Sequence, residues 1–263
     1  MNNQSQGYAL ALFIPFRYPV MKTENQLYLE NRLRELGFPS HLNGRLDVLL
    51  KFKPEQFHIE YNKAQFRLPE VLVYTEYKLE FNRAPNNDTY SLDRYRAQIY
   101  HNHPRTERHA VFPVANQTGV RMNEAFNLLD GRAVRTNVES PDGSVRPGWL
   151  EFDFNQRTRD HQYAMRPINT KEYDEQLKNA INPWSFQEWK TDPKQVLNKL
   201  HAGELVPLTL PTGRTAYVTA NPQQQNILAY NIVGVPIEPP ALNKKTTPKE
   251  QHAPRRRKKG KGI

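Results

Sequence analysis

The chain has 263 residues, of which 37% are hydrophobic and none is cysteine, and its formal net charge is +10. The length and hydrophobic content suffice for the core of one large or two small domains, and the lack of cysteine excludes disulfides, thiolate chemistry and Cys-ligated zinc. No apolar run approaches the roughly 20 residues of a membrane helix, so we expect a cytoplasmic protein without a membrane partner. The apolar run 8–16 contains Pro15 and lacks a basic flank, which argues against a signal peptide.

Residues 1–117 are predicted to form an N-terminal α+β unit. Thr23 and Gln26 have capping-box spacing, and leucines at helical intervals follow as far as Gly37, which predicts a helix over 24–36. A second, short helix is expected at 46–50. Segments with strand-like patterns come next, at 57–61, 71–81, 89–100 and 111–114.

The stretch 123–154 opens a second predicted unit, 118–235, with a helix and a glycine stop. The helix has apolar residues on one side, and Asn123 or Asn127 is a candidate cap. Gly131 follows Asp130 where a helix C-terminus needs a positive φ, which only glycine adopts at low cost.

A strand pair follows that helix, and its return strand is predicted at 149–154. Residues 141–143, Pro-Asp-Gly, favour the connecting turn. Leu150, Phe152 and Phe154 alternate with Trp149, Glu151 and Asp153. This period of two predicts a half-buried strand whose second face is wet.

The rest of the second unit continues the α+β pattern. Helices are predicted at 170–181 and 193–203, where Asp192-Pro193 provides a cap and a first-turn proline. Strands are predicted at 161–168, 205–210, 216–219 and 227–233. The fold class expected from the whole chain is therefore α+β, with two units of short helices packed on antiparallel sheets.

Several of these segments resemble a known family. The run 128–134, LLDGRAV, and the strand ending LEFDF at 150–154 are similar to a domain-of-unknown-function family carried on bacterial conjugative elements, often near or fused to topoisomerase III. The resemblance extends over roughly 22–235, most of the chain. It implies a role on a mobile genetic element and a protein partner such as a topoisomerase or another protein of that element. It brings no catalytic residues, because the family has no established activity.

A metal site is one reading of the histidines His101, His103 and His109. In an extended chain the first two share a face and the third is a candidate third ligand, but no carboxylate is placed to complete the site. A polar loop between strands is the simpler interpretation. We therefore expect no bound metal and no cofactor.

Other chemistry-bearing residues also have a structural interpretation. Glu151 and Asp153 share a strand face and have the groups needed for Mg²⁺ or for acid–base chemistry, but a solvated face explains them as well. Aromatic residues interleaved with arginines over 90–100 fit either stacking on single-stranded nucleic acid or a packed sheet face. Trp184 and Trp189 are expected to anchor a core. No phosphate-loop or nucleophile motif occurs, so no catalytic residue is assigned.

The positive charge is concentrated in a C-terminal tail, 236–263, which is rich in proline and polar residues and is predicted to be disordered. Residues 244–263 hold nine Lys or Arg and one acidic residue, a charge of +8, whereas 1–243 hold 28 basic and 26 acidic residues, a charge of +2. The predicted nucleic-acid-binding residues are Lys244, Lys245, Arg255, Arg256, Arg257, Lys258, Lys259 and Lys261. Phosphate contacts of this kind are independent of sequence and sensitive to salt.

The sequence and the resemblance together predict a non-enzymatic accessory protein of a mobile genetic element. Its tail contacts the phosphates of DNA or RNA, and its body docks a protein partner. Two alternatives stay open. One is a protein-interaction or inhibitor module with an incidental tail, and the other is an unrecognised metal-dependent nuclease that uses carboxylates from both halves.

Overall fold

The computed structural model describes residues 23–69, 71–102, 105–114, 119–139, 143–160, 162–168 and 173–239. These residues form six α-helices and ten β-strands in three antiparallel sheets, which confirms the predicted α+β class. No helix within the described ranges is long and apolar enough to cross a membrane. The tail residues predicted to bind nucleic acid, 244–263, lie outside the described part of the chain.

Sheet A is a four-stranded meander covered on one face by two helices. Its strands are β1 (Gln56–Leu68), β2 (Val71–Arg83), β3 (Tyr90–Asn102) and β4 (Arg105–Pro113), paired in chain order. The helices are α1 (Glu24–Glu35) and α2 (Leu42–Phe52). The predicted cap of α1 is present, because the Thr23 hydroxyl accepts a hydrogen bond from the backbone N–H of Gln26 at 3.2 Å.

Helix α3 (Met122–Leu129) precedes sheet B, which contains β5 (Val134–Glu139), β6 (Val145–Arg157) and β7 (Tyr163–Ile168) in that order. Gly131 ends the helix with a φ of 90°, as predicted. The predicted asparagine cap is wrong, because the Glu124 carboxylate accepts from the backbone N–H of Arg121 at 2.8 Å and holds the first turn. Asn123 and Asn127 both lie inside the helix.

The two faces of β6 carry the predicted residues, but neither face is wet throughout. Leu150 and Phe152 are each 7% exposed and belong to the core that β6 shares with sheet A. Trp149, assigned to the wet face, is only 2% exposed and packs in a different core. The prediction of one wet face is therefore wrong at Trp149, because this strand is covered on both sides there.

Sheet C and three helices complete the described body. The helices are α4 (Tyr173–Ile181), α5 (Gln187–Thr191) and α6 (Pro193–His201), and the strands are β8 (Val206–Thr209), β9 (Thr215–Asn221) and β10 (Asn226–Tyr230), with β9 central. The Asp192 side chain caps α6 by accepting from the backbone N–H of Gln195 at 3.0 Å. This cap agrees with the prediction from Asp192-Pro193.

The buried apolar residues form two cores. The first core packs α1, α2 and sheet A against α3 and sheet B, and its members run from Leu29 to Phe152. The second core packs α4 and α6 against sheet C. Trp149 of β6 and Ala133, which comes just before β5, also belong to it. The first core draws on residues from both sides of the predicted boundary near 118, while 115–118 themselves lie outside the described residues.

The folded body extends slightly beyond the predicted start of the tail at Pro236. Pro236 forms a bridge with Tyr230, and the backbone N–H of Ile237 donates to the carbonyl of Ala229 at 2.9 Å. Ile237 also packs against the second core. Residues 236 and 237 therefore belong to the folded body.

Candidate functional site

The structure separates two of the histidines considered as metal ligands. His101 lies on the same face of β3 as the buried Ile99, and its Nε2 is 2.9 Å from Oδ1 of Asp130. His109 lies on β4 opposite Gln98, on the other face of sheet A. His103 is outside the described residues. Within the described ranges, no group of three or more His, Asp and Glu is placed to hold a metal ion.

Glu151 and Asp153 do share a face of β6, but they are not a solvated pair. Their side chains are 19% and 11% exposed, and Arg166 from β7 bridges them at 2.8 and 3.1 Å. An arginine that already occupies both carboxylates lowers their capacity to hold a divalent cation. The prediction of a wet face is wrong for these two residues as well, because the Arg166 side chain lies against both carboxylates.

The aromatic residues of β3 fall on both faces of sheet A. Tyr90 and Tyr95 are at most 4% exposed and pack in the first core. Tyr100 is on the outer face, where its hydroxyl donates to Glu76 at 3.0 Å. The packed interpretation is therefore confirmed for Tyr90 and Tyr95.

The tryptophans expected to anchor a core do so to different extents. Trp184 is 4% exposed and stacks on Phe186 in the second core. Trp189 packs against the same core while partly exposed, and its indole N–H donates to Asn182 at 2.8 Å.

A buried ion cluster, absent from the sequence-based predictions, lies where the chain leaves α3 for β5. Asp130 is its centre: Oδ1 contacts His101 at 2.9 Å, and Oδ2 contacts Nε of Arg67 at 2.9 Å and a guanidinium nitrogen of Arg132 at 3.2 Å. The Asp130 side chain is 1% exposed. Arg132 also donates to the Asn127 side chain at 2.7 Å. We refer to these five residues as the Asp130 network.

The Asp130 network joins elements that are distant in sequence. Arg67 comes from the end of β1, His101 from β3, and the other three residues from α3 and the segment that follows it. Asn127 extends the network to the second core by donating to the carbonyl of Ala202, at the end of α6, at 2.7 Å. The network therefore connects elements of the first core with the end of α6, which packs in the second core.

The end of α6 also docks closely against the segment that carries the network. Gly203 has a φ of 76°, and a Cβ added there would lie 2.8 Å from the carbonyl oxygen of Ala133 and from a methyl group of Val134. Such a contact is too short for any side chain. Glycine is therefore required at 203 both for its backbone conformation and for the approach of α6 to β5.

A small cavity of about 90 Å³ opens beside the Asp130 network. Arg67, Asp130 and Arg132 line one side, and Thr219 and Tyr230 of sheet C line another. Thr219 is 2% exposed, and its hydroxyl has no hydrogen-bond partner among the described residues. Nε of Arg132 is likewise buried without a partner there.

Burial sets the protonation behaviour of two cavity residues. It lowers the pKa of Arg132 to about 10, although the nearby Asp130 acts to raise it. Burial also raises the pKa of Tyr230, while Arg67 and Arg132 act in the opposite direction. Both side chains are in their protonated, hydrogen-bond-donating forms at neutral pH.

The sequence contained a signal for this cluster in the run 127–132, where polar residues interrupt an apolar helix and strand. Local pattern identified Gly131 as a helix stop, but it did not show that Asp130 is buried. The partners Arg67 and His101 come from sheet A, so only the tertiary arrangement reveals the network.

Comparison with known proteins identified no relative: no family model, no curated protein and no solved structure matches this chain significantly.

Proposed function

We propose that this protein is a nucleic-acid-associated accessory protein of a mobile genetic element and acts in the cytoplasm without catalysing a reaction. Its basic tail contacts the phosphates of DNA or RNA, and its body docks a protein partner such as a topoisomerase or another protein of the element. The observation that carries the proposal is the charge distribution, with +8 of the +10 net charge in 244–263.

The ion pairs of the body support the proposal that the tail, and not the body, binds nucleic acid. Many of its arginines are committed to carboxylates: Arg67 and Arg132 to Asp130, Arg94 to Glu80, Arg135 to Asp174 and Arg166 to Glu151 and Asp153. Arg108 donates to the carbonyl of Leu129 at 2.9 Å and lies over the ring of Phe154. The tail holds nine basic residues against Glu250 alone. Dense charge that its own segment does not neutralise attracts polyanions.

An apolar surface near the end of the body supports the docking of a protein. Leu228, Ile232, Val233 and Val235 are each at least 39% exposed, with Val233 the most exposed at 63%. Clustered exposed apolar residues on a folded domain are typical of interaction surfaces. These residues immediately precede the tail, so a partner bound there would sit beside the nucleic acid that the tail holds. The same surface favours the second candidate function, an interaction or inhibitor module with an incidental tail.

The tail part of the proposal is tested by truncation after Pro239, which leaves the described body intact. We expect nucleic-acid affinity to fall by orders of magnitude at low salt, because the removed charges supply the phosphate contacts. Replacing Arg255, Arg256, Arg257, Lys258 and Lys259 with glutamine should reproduce most of the loss. A matched control shuffles the order of tail residues at constant composition and should bind as well as the natural chain, since phosphate contacts do not depend on sequence.

The docking part is tested by capture of partners from the native host with and without nuclease treatment. A partner bound to the body survives nuclease treatment and is lost in the variant Val233→Asp. The matched control is Phe52→Asp, because Phe52 is 77% exposed but lies at the end of α2. Equal loss in both variants, or capture that disappears with nuclease, contradicts a docking role for this surface.

A further inference from the structure

The acidic residues in the wall of the cavity beside the Asp130 network are paired with basic side chains. Both carboxylate oxygens of Asp130 are already in contact with His101, Arg67 and Arg132. Glu151, the other acidic residue of the cavity wall, is held by Arg166 at 2.8 Å. Both carboxylates of the cavity wall are therefore paired with cationic side chains, and Oδ2 of Asp130 makes its two ion-pair contacts without hydrogen-bond geometry.

The donors of the same cavity are less fully used. Arg67 is 38% exposed and contacts Asp130 through Nε. The Nε of Arg132 and the hydroxyl of Thr219 are buried and have no partner among the described residues. An unsatisfied buried polar group carries a free-energy cost that a bound acceptor removes.

The size of the cavity and its arginines limit the kind of ligand that can bind there. The cavity volume is about 90 Å³, so only a small group fits. Two arginines, Arg67 and Arg132, contact the one buried carboxylate of the network, Asp130. Arginine binds phosphate oxygens by paired, charge-assisted hydrogen bonds.

We propose that this cavity binds a phosphate group, held by Arg67 and Arg132 with hydrogen bonds from Thr219 and Tyr230. The group is either free inorganic phosphate or the terminal phosphate of a nucleic-acid strand. The site is formed by sheet A, the segment after α3 and sheet C, so a bound phosphate also stabilises the junction between the two cores.

The test measures the binding of inorganic phosphate to the full chain with its five clustered tail bases, 255–259, replaced by glutamine. This background removes five of the nine tail bases and so reduces the tail's contribution to anion binding. We expect saturable binding of one phosphate per chain by isothermal titration at constant ionic strength, together with a phosphate-dependent rise in the midpoint of thermal unfolding. A 5′-phosphorylated oligonucleotide compared with its unphosphorylated form then distinguishes a terminal phosphate from the free anion.

Thr219→Val is the decisive variant, because it removes the unpartnered hydroxyl while keeping the shape of the side chain. We expect the free energy of unfolding without phosphate to be unchanged or higher, and phosphate affinity to fall about tenfold, as one lost hydrogen bond to an anion implies. Arg67→Gln should weaken binding further. The matched control, Arg135→Gln, removes an arginine paired with Asp174 elsewhere and should leave binding unchanged.

Two results would overturn the proposal that this cavity binds phosphate. One is the absence of saturable phosphate binding at concentrations on the order of tens of millimolar, an affinity too weak to be specific. The other is equal phosphate affinity in the parent protein and in Thr219→Val, which would place any bound anion elsewhere.

Discussion

Basic residues have different roles in the folded body and in the C-terminal tail of this chain. In the body they are fixed beside carboxylates, most clearly around Asp130, where Arg67 and Arg132 approach within 2.9 and 3.2 Å. In the tail, nine Lys or Arg accompany one glutamate. Basic residues therefore stabilise the fold in the body and, in our proposal, provide affinity for a polyanion in the tail.

This contrast shows why net charge alone is a poor guide to a binding surface. The body holds 28 of the 37 basic residues, but its 26 acidic residues leave residues 1–243 at +2. The predictions that follow test whether charges in the body govern stability while charges in the tail govern binding.

The largest effect is expected from Asp130→Ala, which removes the central carboxylate of the Asp130 network. The change leaves the buried Arg132 and the partly exposed Arg67 without their counter-charge, so we expect a loss of about 3–5 kcal/mol in the free energy of unfolding, measured by urea denaturation. The matched control is Glu80→Ala, which removes the partner of the exposed Arg94 and should cost at most about 1 kcal/mol. Equal losses in the two variants would mean that the network is not a structural centre.

A comparable loss is expected from Phe152→Ala in the first core. Phe152 is 7% exposed and packs against Phe112 and Phe154, so truncation should cost about 3–5 kcal/mol in the free energy of unfolding. Phe66→Ala is the control, because that ring is 66% exposed and its loss should change stability by about 0.5 kcal/mol or less. A loss below about 1 kcal/mol for Phe152 would mean that the faces of β6 are assigned the wrong way round.

A smaller loss is expected from Gly203→Ala at the end of α6. The added methyl group would lie 2.8 Å from the Ala133 carbonyl and also requires a positive φ, so we expect a cost of about 2–4 kcal/mol in the free energy of unfolding. Gly213→Ala is the matched control, because Gly213 has a φ of 82° but no atom within 4 Å of the added methyl group. The difference between the two variants measures the close docking of α6 beside the Asp130 network.

The smallest effect concerns pH and His201. Burial lowers the pKa of His201, with Arg135 acting in the same direction and Asp174 opposing it. Because the unfolded chain takes up a proton near pH 6.5 and the folded chain does so only at lower pH, stability should fall as pH drops below about 6.5. His201→Gln should remove this part of the pH dependence in urea denaturation. An unchanged profile would show that His201 does not contribute to it.

Local sequence patterns predicted much of the fold. The cap at Thr23, the glycine stop at 131 and the alternation of Leu150 and Phe152 depend on neighbouring residues, and all three are present in the structure. The second face of β6 was not predictable, because the burial of Trp149 depends on helices that follow later in the chain.

The candidate site could be predicted from the sequence less well than the fold. Arg67 and Asp130 are far apart in the sequence although Nε and Oδ2 lie 2.9 Å apart in the structure. A buried ion cluster also has no periodic pattern of residues that would reveal it in the sequence. His101 was singled out for a different reason, as a metal ligand, whereas its partner in the structure is Asp130. Composition, in contrast, identified the tail directly, because charge density is a property of the sequence itself.

The central claim is tested most directly by the salt dependence of DNA binding to the full chain and to the chain truncated after Pro239. If all nine tail bases contact phosphates, the logarithm of the binding constant should fall with the logarithm of salt concentration with a slope of about −8, and the truncated chain should show a slope near zero. Equal affinities and equal slopes for the two chains would contradict the account and place the nucleic-acid contact, if any, on the body.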